Sequence, residues 1–300
     1  MAASKVPLYS ALAANLAIAI TKFIAAGVTG SSAMISEGIH SVVDTANEVL
    51  LLYGIHRSNK PADARRPFGY GKELYFWAFI VSILIFGIGG GISFYEGISH
   101  LQHPNLIEDP KWNYIVLGFA FLFDGASYIT AQREFTRQRA GTPFWRAVRQ
   151  SKDPSTFVVL FEDAADLLGL TVAFLGVFLG HYYQNPYFDA MASIIIGLIL
   201  TTISALLLRE SRSLLMGETA DETLLAQVVQ LALENPAVVR VDKPLSMHMG
   251  PEEIIVLVPL TFQEDILSRE ITVAIKDIRQ SIQSQLPNIT QLYIEPQIDD

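Results

Sequence analysis

The sequence predicts a membrane-embedded α-helical protein, with six transmembrane helices followed by a small C-terminal cytoplasmic α+β domain. Three observations carry this expectation. Hydrophobic residues make up 51% of the 300 and charged residues 17%, with a mean hydropathy of +0.34, which is too apolar for an ordinary soluble chain. Six apolar stretches of about 20 residues or more, the length a bilayer core requires, precede residue 210. Charge is also unevenly placed. Met1 to Arg209 holds 15 Lys and Arg against 15 Asp and Glu, whereas Glu210 to Asp300 holds 6 against 15, so the whole formal net charge of −9 lies in the last third. Two domains are therefore expected, 1–209 in the bilayer and 210–300 in water.

The first span, Val6 to Val28, lacks a basic n-region and a small-residue cleavage site, and so reads as a membrane helix rather than a signal peptide. The others are Ser32 to His56, Tyr75 to Leu101, Trp112 to Arg133, Ser155 to Tyr182 and Pro186 to Leu208. Basic residues alternate between the connections. Arg57, Lys60, Arg65, Arg66 and Lys72 follow span two, and Arg133, Arg137, Arg139, Arg146, Arg149 and Lys152 follow span four, whereas the intervening loops hold only Lys111. The positive-inside rule then places both termini in the cytoplasm, with a bacterial inner membrane as the expected location. The Gly87–Gly91 pair in span three permits close helix approach. Beyond span six the period changes. Asp221 to Leu233 and Leu267 to Leu286 read as helices stopped by Pro236 and Pro287. Val238 to Met249, Glu253 to Phe262 and Gln291 to Glu295 read as strands, which gives the order αββαβ.

Acidic residues inside the spans point to chemistry. Each costs roughly 2.5 to 3.5 kcal/mol at a helix centre, yet span two carries Glu37, His40, Asp44 and Glu48, and span five carries Glu162, Asp163 and Asp166. His40 and Asp44, like Glu162 and Asp166, stand at i and i+4 and share a helix face. Both pairs lie near the middle of antiparallel spans, so they meet at one depth, as a divalent cation site requires. There is no Cys, so any metal is held by oxygen and imidazole. Asp163 lies about 100° around the helix from Glu162 and points elsewhere. Asp163, Glu37, Glu48 and Asn47 are candidates for supporting the ligands or lining the ion path. Asn15, Lys22 and Asp124 read as interhelical hydrogen-bonding groups.

The blocks TGSSAM and EGIHSVVDTANEVLLLYG at span two, RRPFGYGKE before span three, SKDPSTFVVLFEDAADLLG into span five, RESRSLLMGE after span six and the terminal YIEP resemble the cation diffusion facilitators. These are proton-coupled exporters of divalent metals, and the blocks around Arg65 to Lys72 and Asp153 to Gly169 look most like their zinc transporter 9-like branch. The resemblance implies a ferredoxin-like cytoplasmic domain, a homodimer, and a metal site made of His40, Asp44, Glu162 and Asp166. Most zinc-specific members carry His where this chain has Glu162. The set is therefore oxygen-rich, which suits zinc and also manganese, ferrous iron or cobalt. Where many members have His in the loop before span three, this chain has Arg65, Arg66 and Tyr70. Where their cytoplasmic domain supplies His, it has Asp242, Val258 and Ile294, so no such metal cluster is expected in the tail, and His248 stands alone.

The expected function is divalent cation efflux by proton antiport, zinc foremost, with protons, lipid and a second copy as partners. No cofactor, enzymatic activity or nucleic-acid partner is expected. An intramembrane metalloenzyme is the alternative of another class, and a metal-free proton/sodium antiporter the nearer one.

Overall fold

The computed structural model describes residues 6–104, 110–138 and 141–297. Arg139 of the basic segment and the two chain ends lie outside the described residues. The chain forms two compact units, one holding the described residues up to Gly54 with Phe76–Ser211, the other Ile55–Tyr75 with the described residues from Arg212 onward. The segment joining spans two and three thus belongs with the sheet unit.

The expected spans fall on long helices: α1 Val6–Thr29, α2 Ser32–Ser58, α3 Lys72–Leu84 continuing through a π-helical turn Ile85–Gly90 into α4 Gly91–Gln102, α5 Lys111–Gln138, α7 Pro154–Tyr182 and α8 Tyr187–Met216. A short helix, α6 Phe144–Gln150, was not expected. It lies in the basic segment, where Phe144 packs edge-on against Phe135 of α5 and Phe161 of α7, and Trp145 stacks on Phe161. Three described helical segments are long and apolar enough to cross a membrane by length and composition: Lys72–Gln102, Lys111–Arg137 and Tyr187–Met216. Helices α2 and α7 are of similar length but carry the acidic pairs. Ile24, Val28, Phe119, Leu122, Phe123 and Leu198 are exposed, an outward apolar surface that water does not tolerate and lipid does. The chain is a multi-pass membrane protein.

The helix ends have local causes. Gly30, at φ +69°, makes the left-handed turn between α1 and α2 that a side chain would resist. At α7, Asp153 accepts from the Ser155 amide and Pro154 occupies the first turn, a start encoded in SKDPS. The close helix approach expected at Gly87 and Gly91 falls instead at Gly90 and Gly97. A Cβ at Gly87 would meet nothing, whereas one at Gly90 would strike Thr201 and one at Gly97 would strike Ile194 and the Ala190 carbonyl. The small-residue seam therefore joins the π-turn and α4 to α8 within one chain.

The sheet unit contains α9 Glu222–Leu233, β1 Val238–Val241, β2 Leu245–Gly250, β3 Glu253–Phe262, α10 Ser268–Gln285 and β4 Ile289–Gln297. The first expected strand is divided into β1 and β2. Both run antiparallel to β3, β1 against Leu260–Phe262 and β2 against Glu253–Leu257. The break, at 242–244, contains Pro244, and β3 carries Pro259 beside it; neither proline has an amide donor. One extra residue enters there: Val241 pairs Leu260 whereas Leu245 pairs Leu257, as in a β-bulge. Strand β4 lies parallel along the other edge of β3. Ile254, Val256, Val258 and Leu260 alternate along β3 into one core with Val228 of α9 and Ile278 and Ile282 of α10, so both helices cover one face.

Candidate metal centre

The centre is built where α2 and α7 meet. His40 is the ninth residue of α2 and Asp44 the thirteenth, and Glu162 and Asp166 hold the same ranks in α7. The imidazole of His40 stands between two carboxylates. Its Nδ1 lies 3.3 Å from Asp44 Oδ1 and its Nε2 lies 2.5 Å from Asp166 Oδ1, with the His40 side chain 1% exposed. Ligand atoms of His40, Asp44 and Asp166 all fall within 4.8 Å of one another. Metal–ligand bonds of about 2.1 Å bring tetrahedral ligand atoms to about 3.4 Å, a spacing within the range this trio spans. Both ring nitrogens and the two Oδ1 oxygens are buried, and each ring nitrogen has one of these carboxylates as its partner. An imidazole and two carboxylates held this close and away from water are a donor set that suits a small divalent cation.

Glu162 is not drawn into this trio. It is 8% exposed, and its Oε1 accepts from the Asn47 amide at 2.8 Å. Asn47 stands three residues after Asp44, so the same α2 face that carries two ligands also orients the fourth expected one. Asp163 turns away, accepting from Ser127 of α5 at 2.9 Å. Glu48 accepts from Asn15 of α1 at 3.2 Å. Glu37 is fully buried and paired with Lys22 at 3.0 Å.

Two contributions were not read from the sequence. Asp189, at the start of α8 and 2% exposed, takes Ser31 Oγ at 2.6 Å, the Ser32 amide at 2.6 Å and Ser32 Oγ at 2.9 Å. It caps α2 from another helix, placing a carboxylate on the positive end of the helix that carries His40. The Ser31-Ser32 pair is a capping signal, but nothing local names a partner 157 residues away. The pairing of Lys22 with Glu37 is likewise absent from any local pattern.

Outside the bilayer helices, the loop before span three, with Arg65, Arg66 and Tyr70, is tied by hydrogen bonds and ion pairs. Asp63 accepts from the Arg65 and Arg66 amides and the Tyr70 hydroxyl, while Arg66 lies over the Tyr70 ring and reaches Glu73. The Tyr70 hydroxyl, with those amides, holds the Asp63 carboxyl below its ordinary value. A depressed carboxylate stabilises its fold above its unfolded pKa and loses that support as pH falls through the folded one. In the sheet unit His248 is buried, with Nδ1 3.3 Å from the Gly250 carbonyl.

Residues 8–216 match the family model described as the cation efflux transmembrane domain. The chain is 33% identical over 267 residues to a Xenopus laevis protein named proton-coupled zinc antiporter SLC30A9, mitochondrial, covering 86% of this chain and 48% of that protein. It is 30% identical over 232 residues to metal tolerance protein C4 of Arabidopsis thaliana, covering 77% and 50%. It is 25% identical over 290 residues to the manganese efflux system protein MneP of Bacillus subtilis (strain 168), covering 95% and 92%. It thus spans about half the length of the first two relatives and nearly all of the third.

Proposed function

Because the chain belongs to the cation efflux family, the cation diffusion facilitators, we propose that it exports a divalent cation in exchange for protons, with zinc the principal cargo. The observation that carries this reading is the buried His40–Asp44–Asp166 cluster, one imidazole and two carboxylates whose ligand atoms lie within 4.8 Å of one another. The names of the relatives, a zinc antiporter and a manganese efflux protein among them, support transport over hydrolysis.

The cycle follows from ligand chemistry. Asp44, Asp166 and a neutral His40 take the cation from the cytoplasmic side, and Glu162, held by Asn47, completes the set with its second oxygen. A proton and a metal use the same lone pairs, so binding one expels the other. In the metal-free state a protonated His40 stands as an imidazolium between Asp44 and Asp166, each ring nitrogen facing one carboxylate. Rearrangement of the helical unit then exposes the cluster to the opposite side, where protons displace the cargo. The cytoplasmic termini, the bacterial inner membrane, contact with anionic lipid and a homodimer joined through the sheet domain belong to the same proposal, as do domain limits at 1–209 and 210–300.

The test is reconstitution. Purified chain in liposomes should drive zinc uptake into an acidic lumen, read by an entrapped zinc dye, and collapsing the pH gradient should stop it. Zinc movement indifferent to the gradient would refute exchange. Three carboxylates to one imidazole make a hard site, open to manganese, iron(II) and cobalt as main cargo. Glu162→His should therefore shift the zinc-to-manganese flux ratio about tenfold toward zinc; an unchanged ratio removes Glu162 from the selectivity argument.

A further inference from the structure

Lys22 and Glu37 of the helical unit are buried charges outside the ligand set. Lys22 of α1 is fully buried, and its ammonium reaches Glu37 Oε2 at 3.0 Å and Ser41 Oγ at 2.8 Å. Glu37 is equally buried and precedes His40 by one turn of α2, and Ser41 follows His40 directly. The ammonium is thus anchored on both sides of His40 along the chain. His40, beside Ser41 in the chain, in turn faces Asp44 and Asp166.

A lysine ammonium carries three donors and no acceptor. Carboxylates that hold a divalent cation hold an ammonium by the same attraction. Left without an anion of its own, Lys22 is a tethered competitor for the ligands. Glu37 is seated to prevent this. Its Oε2 takes the ammonium, while its Oε1 is buried with no hydrogen-bond partner. There α7 presents Gly169, one turn beyond Asp166, and any Cβ at Gly169 would collide with Glu37 Oε1. A missing side chain on the ligand-bearing helix is what makes room for this carboxylate.

We infer that Glu37 sequesters the Lys22 ammonium, keeping a built-in cation off Asp44 and Asp166 so that these carboxylates stay available to a divalent metal. The inference rests on the transport-site reading above. Glu37 is a positioning residue here: it acts through Lys22 and does not touch the cargo.

The experiment is calorimetric zinc binding to the purified full chain in detergent, with folding followed by size exclusion. Glu37→Leu leaves Lys22 without its anion and should weaken zinc binding at least tenfold. Lys22→Met combined with Glu37→Leu removes the competitor as well, and should bring affinity back to within about threefold of wild type. A double variant as weak as Glu37→Leu, or a Glu37→Leu protein that binds like wild type, overturns the inference while leaving the transport site standing. A wild-type chain that binds no zinc, manganese or cobalt overturns both. If Glu37→Leu does not fold, Gly169→Ala displaces Glu37 with every charge retained. It should weaken zinc binding when Lys22 and Glu37 are present and have no effect in the Lys22→Met/Glu37→Leu background; equal losses in both backgrounds refute sequestration.

Discussion

Asp166→Ala is expected to lower zinc flux in proteoliposomes at least a hundredfold, and Asp44→Ala to do the same, without loss of folded protein. Each removes one member of a trio whose ligand atoms lie within 4.8 Å, and the remaining groups cannot close a coordination sphere around a small cation. A hundredfold loss corresponds to about 2.7 kcal/mol, a modest demand for one charged ligand in a buried site. Asp166 faces His40 from α7 and Asp44 faces it from the same helix. Losing either also removes one of the two anions beside the imidazole, so proton loading and metal loading fail together. Size-exclusion behaviour like that of wild type with flux intact in either variant would remove that residue from the site.

The second large effect is on stability. Asp189→Ala should destabilise the helical unit by several kcal/mol, seen as a lower midpoint of thermal unfolding in detergent. Losing a cap residue costs about 1 kcal/mol. Here the acceptor is buried and charged, and the Ser32 amide and two serine hydroxyls lose their partner, at about 1 to 3 kcal/mol for each buried donor left unsatisfied. Asp189→Asn retains one acceptor oxygen and should fall between wild type and Ala. Since α2 carries His40 and Asp44, the Ala variant should also lose zinc binding at temperatures where wild type retains it. An unchanged midpoint for Asp189→Ala would mean that the α2 start is held by other contacts.

Much of this centre is legible in the chain because its chemistry is local. The i and i+4 spacing puts two ligands on one face of α2, and matching ranks in α7 bring the second pair to the same depth. The bends and caps at Gly30 and Asp153-Pro154 are likewise local. The α2–α8 serine contacts, in which Ser36 meets Ser193 and Ser193 meets Ser32, are not readable in this way, because serine at either position is compatible with many neighbours. The small-residue seam shows the same limit. The glycine-rich stretch is evident, but which glycines face α8 depends on the π-turn, which changes the residues per turn and rotates the following helix.

The sequence by itself determined the membrane helices, the sheet domain behind them and the two polar pairs expected to meet, because hydropathy and helical period are properties of contiguous residues. Only the tertiary structure decided the partners: His40 between Asp44 and Asp166, Glu162 on Asn47, Lys22 on Glu37, and Asp189 on the start of α2. The physical reason is that a buried charge is acceptable wherever any complementary group can reach it. Which group does so is set by how each helix is rotated and placed against its neighbours, and that choice is made by packing along the whole helix.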